Sequence, residues 1–408
     1  MSSDTMDNLS RQFEPLVLSS STANMSADQP AAPPVTLPEA PKPTVPPMPD
    51  GRARPYDSDG NRSNCHNPVF HYLMANSAEF RELETLRAKG WNNTEGDAFF
   101  NQQRKHADEA DSQTAMFFYK LMQKIADEMQ RKTGAIRISS FLSRGKPRIL
   151  DTCVAPGGFL SKALKINPNA TALALTLSPD QGGHKCLFPV TDRVETHLVD
   201  VTMLAADMGV TSIPSDHPDA DRFYPRLLPT GKTFDLVICD GHVLRTHERA
   251  SYREKCEARR LTNSQLVLGL KRLKPGGKLI LLLHKIEMWK SVETLYAFSK
   301  FARIELFKPT AGHAKRSSFY LIAKNVQTES PECLAAIERW RETWHAATFP
   351  AEVEDVDQEE DVEWKKDPWT AEEVIEDFGP KLLSMAAPVW KIQTDALATA
   401  PFIKGAAP

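Results

Sequence analysis

Residues 149–159 read ILDTCVAPGGF, an apolar run that ends in Asp151 and a turn closed by Ala155, Pro156, Gly157, Gly158 and Phe159. A strand that runs through a glycine-rich turn into a helix forms the ligand-binding corner of an open α/β sheet, where ligands sit outside the carboxyl ends of the strands. The turn lacks the G-x-G-x-x-G spacing of dinucleotide folds and the G-K-[ST] of phosphate loops. Gly157 and Gly158 are expected to let the backbone approach a ligand where a Cβ would collide. Pro156 fixes φ before them, and the next helix offers free N–H groups at its start. A carboxylate at Asp151 would repel a pyrophosphate and suits the cationic end of an amino-acid or sulfonium ligand.

Strands and helices alternate outward from this corner, between 147 and 325. The runs RILDTCV, TALALTL, VETHLVDV, FDLVICDG, KLILLLHK, ARIELFKP and SSFYLIAKN read as seven strands, most of them separated by helical stretches such as TNSQLVLGLKRL and MWKSVETLYAFSKF. Continuous Val/Ile/Leu runs separated by helices imply a mostly parallel sheet covered on both faces. The last two strands are joined too closely for a crossover helix, so one of them is expected to be antiparallel. Two more strands end in acids, Asp200 and Asp240, which suit a ligand's hydroxyl, exocyclic amine or ammonium groups. The second strand ends at Thr176, where a ribose-binding carboxylate would often sit.

Before the sheet, Met116, Phe117, Leu121, Ile125 and Met129 share one helical face. The organisation expected is a Pro/Ser-rich disordered tail at 1–63, a helical extension at 64–111, an α/β domain at 112–328 and a helical, acidic extension at 329–408. The Pro- and Asp-rich segment 207–232 interrupts the domain and reads as a surface loop, and a weak helix is expected at 370–400. A formal net charge of -3 over 408 residues gives no global case for a polyanionic partner, so any nucleic-acid surface must be local. Six cysteines without a C-x-x-C pair read as reduced thiols, with no metal site. No secretory or mitochondrial leader and no bilayer-spanning run is evident, so a cytoplasmic or nuclear location is expected.

The corner sequence resembles the FtsJ-type ribose methyltransferases, whose cofactor motif is a strand followed by D-x-x-A-P-G-G-[FW]; the resemblance spans roughly residues 112–325. It implies a Rossmann-like fold that takes S-adenosylmethionine, with Asp151, Ala155, Pro156, Gly157, Gly158, Phe159, Thr176, Asp200 and Asp240 at the cofactor. It further implies a Lys-Asp-Lys-Glu set for methyl transfer to an RNA ribose 2′-hydroxyl. Lys120 in FFYKL matches the first lysine, Asp240 the aspartate, and Lys285 in LLLHK the second lysine. Aligned on Tyr320 and Ala323, Ser318 stands where the family has glutamate, so the fourth member is absent. A ribose hydroxyl is a poor nucleophile, and a poised lysine beside it favours the developing alkoxide or accepts its proton.

Two basic segments, 245–260 and 313–316, follow strands whose tips face the crevice, and phosphates attract such patches. Glu248, Glu254 and Glu257 are interleaved at helical spacing and offer intrahelical partners instead. The tails are candidate surfaces for protein partners. Two other readings stand beside RNA methylation: transfer to a different hydroxyl acceptor, and a catalytically weakened module that keeps the cofactor pocket.

Overall fold

The apolar runs assemble into one seven-stranded sheet of order β3-β2-β1-β4-β5-β7-β6. The strands are β1 (Arg148–Asp151), β2 (Thr171–Thr176), β3 (Val194–Leu198), β4 (Phe234–Cys239), β5 (Leu273–His284), β6 (Arg303–Phe307) and β7 (Ser318–Val326). Neighbours from β3 through β5 pair in parallel, and β7 runs antiparallel to both β5 and β6. The closely joined last pair is therefore antiparallel, as its short connection requires. The computed structural model describes residues 67–91, 93–108, 111–139, 145–189, 191–349 and 368–404. The tail at 1–63 and most of the acidic run after 350 lie outside the described residues.

Two strands differ from their sequence reading. β1 stops at Asp151 because Thr152 and Val154 part company: the Thr152 amide donates to Ile238 O of β4, the Val154 amide to Leu175 O of β2. The chain thus splits the sheet at its topological switch point. β5 begins at Leu273, so the KPGG segment lies inside the strand, where a register shift against β4 absorbs it.

Successive side chains on a strand point to opposite faces, and two cores sort them by parity. Ile149, Leu236, Ile238, Ile280, Leu282, Tyr320 and Ile322 face one core with Leu121, Ile125 and Met129 of helix α4 and Phe159 and Leu160 of α5. Here α4 is Ser112–Thr133 and α5 is Gly158–Ile166; before them come α1 (Pro68–Asn76), α2 (Ala78–Trp91) and α3 (Thr94–Asp108). Asp111 caps α4 by accepting from the Thr114 amide, and Gly134 ends it in the left-handed region. Leu150, Val237, Cys239, Leu281, Leu283, Phe319 and Leu321 face the other core. That core is covered by α6 (Glu257–Arg272), α7 (Trp289–Phe301), α8 (Pro331–Thr348) and α9 (Ala371–Ala398).

Helices α1, α2 and α9 belong to this second core, which holds Leu73, Phe80, Phe378 and Trp390. The weak helix expected at 370–400 is a continuous 28-residue element. Pro380 and Pro388 inside it dilute the helical signal, yet a Thr370–Glu373 capping box starts it firmly. The 207–232 segment is stapled down: Asp207 accepts from the Leu227 and Leu228 amides, and Tyr252 donates to Asp219.

Arg87 of α2 is the bolt between these layers. It is buried and donates to Glu84 and Glu287 at 2.5 and 2.7 Å, and to Ser317 Oγ and Gln393 Oε1 at 3.2 Å each. Removing one partner of a buried ion pair strands the other charge. Arg87→Ala is expected to destabilise the protein by about 3–5 kcal/mol, read as a lower urea midpoint at constant m-value. An unchanged midpoint would show that the extensions are not held through this residue.

Candidate active site

The tips of β1 and β4 carry Asp151 and Asp240, both on the α4 side by strand parity. Asp151 is fully buried. Its Oδ1 accepts from the Cys153 amide at 3.2 Å, while its Oδ2 is buried with no hydrogen-bond partner. Desolvation, then the nearby Asp240 charge, holds the Asp151 carboxyl well above the usual range. Desolvation likewise raises Asp240 to about 7, against a backbone hydrogen bond that lowers it. Two desolvated carboxyls at one strand edge, one with an orphaned oxygen, form a receptor for a cation with N–H donors.

At both glycines of the turn an added Cβ would meet protein atoms. Gly157 has φ 99°, and a Cβ there would lie 2.2 Å from the Phe188 ring. A Cβ on Gly158 would meet Tyr119 O at 2.2 Å and Met122 Cβ at 2.6 Å, so this glycine lets α5 pack on α4. Phe159 is likewise a core residue, 5.7 Å from the Tyr320 ring. Ala155 is half-buried, and the Pro156 carbonyl accepts from the Leu187 amide at 2.9 Å.

The β2–β3 connection therefore lies over the turn. It starts from buried Thr176, whose carbonyl accepts from the Val199 amide. Phe188 covers Gly157, Cys186 is near enough for Asp151 to raise its thiol pKa, and Thr246 donates to Gly182 O at 2.8 Å. Asp200 is engaged as well. It accepts from the Thr202 amide and hydroxyl at 2.9 and 2.8 Å and pairs with Arg253 at 2.6 Å.

That pairing corrects the basic segment 245–260. Arg253 and Arg260 are fully buried, Arg253 on Asp200 and Glu257, Arg260 on Glu257 and Thr348. They are internal struts and cannot meet phosphates. Arg245, Lys255 and Arg259 stay at the surface. In the second segment Arg316 is exposed and donates to Gln103, while Lys315 stacks 5.2 Å over Phe99.

The three expected catalytic residues come from α4, the tip of β4 and the turn after β5. Lys120 is exposed on α4. Lys285 follows β5 with φ 48°, a left-handed conformation outside the strand's two-residue alternation. Desolvation raises the Glu84 carboxyl of α2, on the far side of the sheet from α4, with Arg87 and, last, Lys285 opposing it. Glu287, two residues on, is likewise taken up by Arg87. On the Lys120 side, the end of β5 presents His284, in register with Ser318 of β7. His242, just past Asp240, stands 3.3 Å from it, and His313 Nδ1 lies 3.5 Å from Ser318 Oγ. Desolvation and neighbouring positive groups lower His284 to about 4 and His242 and His313 to about 3. Sequence reasoning passed over these histidines, although counting in twos along LILLLH from Ile280 puts His284 on the crevice face.

Residues 118–326, more than half of the chain, match the family model of FtsJ-like methyltransferases, and the chain belongs to that family. Its sheet is the Rossmann-like fold of S-adenosylmethionine-dependent methyltransferases. No curated protein matches it. Among solved structures it is similar to human methyltransferase-like protein 13 in complex with SAH, at 14% identity and TM-score 0.33, over 57% of this chain and 96% of that one. It is also similar to an rRNA methylase from Streptococcus thermophilus, at 11% identity and TM-score 0.26, over 52% and 95%. Likenesses this remote carry no argument about the site.

S-adenosylmethionine, the cofactor of this fold, meets a divided reception. The orphaned Asp151 Oδ2 beside Asp240 fits the ammonium group of its methionyl end. At the adenosyl end Asp200 is already paired and Phe188 lies over the turn. Binding a cation is expected to draw both carboxyls into the ionised form. Affinity for S-adenosylmethionine should therefore fall as pH drops through about 7, by up to about tenfold per unit for one linked proton. Calorimetry at pH 8 and pH 6 checks this, and equal affinities would show that the carboxyls do not hold the ligand.

Proposed function

We propose that this methyltransferase transfers the methyl group of S-adenosylmethionine to a ribose 2′-hydroxyl of RNA. The observation that carries the donor half is the Asp151 carboxylate at the switch point, buried, unpartnered at Oδ2 and adjacent to Asp240. When bound, the cofactor supplies an electrophilic methyl group on a sulfonium. The chain's residues do the rest: the carboxyl pair orients the methionyl end, and the tips of β4, β5 and β7 wall the space beyond it. The acceptor half rests on family membership and on cations at that rim. Arg316 is exposed and its charge acts on His242 and His284, Lys315 is half-exposed beside it in sequence, Lys120 is exposed on α4, and the surface cations Arg245, Lys255 and Arg259 follow β4. Such a rim attracts a phosphate backbone while the neutral side chains within it meet the sugar.

A specific observation favours a second reading, a catalytically weakened cofactor- or RNA-binding module. Phe188 over Gly157 and Arg253 on Asp200 close the adenosyl side with the protein's own contacts. The two readings separate on one assay, transfer of radiolabelled methyl from S-adenosylmethionine to an unmodified ribosomal RNA transcript. Transfer by the wild type that is lost in Asp151→Asn, with cofactor affinity down tens-fold or more, is the expected outcome. Cofactor binding without transfer to this transcript would favour the second reading. Phe188→Ala should raise cofactor affinity if the ring competes for the space; lower affinity would make Phe188 part of the binding surface.

A further inference from the structure

The geometry points to His284, relayed by His242, as the group that takes the acceptor's proton, in place of a lysine at the end of β5. The inference rests on the methyltransferase reading and deepens its site. Parity carries it first. Ile280 and Leu282 face the core of α4 and α5, so His284 continues that face and opens onto the crevice shared with Asp240 and Lys120. Lys285, at φ 48°, lies past the end of the strand, and its charge acts on both Glu84 and His284.

The environment carries it second. Ser318 is the register partner of His284 and offers no negative charge. A lysine ammonium there would find no counter-charge on β7, whereas a neutral imidazole needs none. The loop between β6 and β7 is fixed by buried Lys308, which donates to the carbonyls of His313, Arg316 and Ser318. That loop seats His313 against Ser318. The basic groups that oppose protonation of His284 are His313, Lys308, Arg316 and Lys285; those that oppose protonation of His242 are His284 and Arg316. Together with desolvation they keep the rings neutral, the form able to accept a proton.

The His284 Nε2 and His242 Nδ1 atoms lie 3.3 Å apart, with ring centroids at 4.8 Å and planes at 68°. In a neutral pair, an N–H of one ring donates to the bare nitrogen of the other. With Nε2–H of His284 donating, its Nδ1 is an acceptor. As the acceptor's O–H bond breaks, the proton goes to Nδ1 and the electron pair stays on oxygen, which forms the new O–C bond. The C–S bond of the donor breaks with its pair kept by sulfur. The Nε2 proton passes to His242 and from its far nitrogen to water, since both residues keep solvent-exposed surface although protein crowds their rings.

Two measurements on the full chain test this. The first is nitrogen-15 NMR titration of the histidine rings without cofactor. His284 is expected to stay neutral down to about pH 4, and His242→Ala should move its midpoint upward. A His284 that titrates near the ordinary value of about 6.5, indifferent to His242→Ala, would overturn the inference. The second is methyl transfer to the unmodified ribosomal RNA transcript. His284→Ala should lower kcat about 100-fold or more with KM and calorimetric cofactor affinity within about twofold, and added imidazole should restore part of the rate. His284→Gln guards against misfolding and should show the same loss. A fully active His284→Ala beside an inactive Lys285→Ala would return the role to the lysine. If the wild type binds cofactor but leaves this RNA unmodified, the RNA reading falls, and the titration alone decides the histidine pair.

Discussion

A buried guanidinium must have its charge matched on the spot, and Arg87 sets the terms on which the outer helices meet the sheet. Its four partners come from α2, the turn after β5, the approach to β7 and α9. The two sheet segments are those that follow or precede the crevice-forming strand ends. Holding Glu287 and Ser317 from behind fixes where His284 and Ser318 stand in front, because each lies within three residues of its anchor. Buried ionic groups of this kind are often no more stabilising than apolar packing would be. Here the pair also defines a direction, since it draws the charged chain after β5 to one face and leaves the other face neutral.

That division explains what the sequence could and could not reveal. Strand number, order of elements and the antiparallel last pair follow from apolar runs and connection length, and the D-x-x-A-P-G-G-F corner fixes the fold family. The catalytic side chains are harder, because a one-residue step along a strand moves a side chain to the opposite face. LLLHK contains a histidine and a lysine side by side, and only the two cores show which one looks into the crevice. Lys285 is the natural choice by residue type, His284 by parity. The helix at 371–398 was obscured for another reason: its two prolines lower propensity, while tertiary packing of Phe378, Leu382 and Trp390 overrides them.

The glycine turn and the arginine-rich segment illustrate a second limit. Paired glycines signal close approach, but the sequence does not say what approaches; here it is Phe188 and the carbonyl of Tyr119. Alternating Arg and Glu after β4 reads equally as a phosphate surface or as ion pairs. Burial decides: Arg253 and Arg260 are inside, each matched to Glu257. Composition cannot distinguish these cases because both use the same residues, and what differs is whether solvent or protein surrounds them.

The crevice that results is graded in charge. It is acidic and desolvated at the tips of β1 and β4, neutral at His242, His284 and Ser318, and cationic at the outer rim. Methyl transfer from a sulfonium to a hydroxyl removes the donor's positive charge and releases a proton. Carboxylates that hold the cationic donor stabilise the ground state more than a transition state in which that charge is dispersing. Their contribution is therefore to binding and orientation, and the acceleration has to come from the acceptor side. A neutral imidazole there gains charge as the donor loses it, so the net charge of the crevice stays constant through the step. An ammonium at the same point would begin charged and could only steer an alkoxide. With Ser318 in the glutamate's place, the structure favours the group whose charge appears during the reaction over the one that carries it throughout.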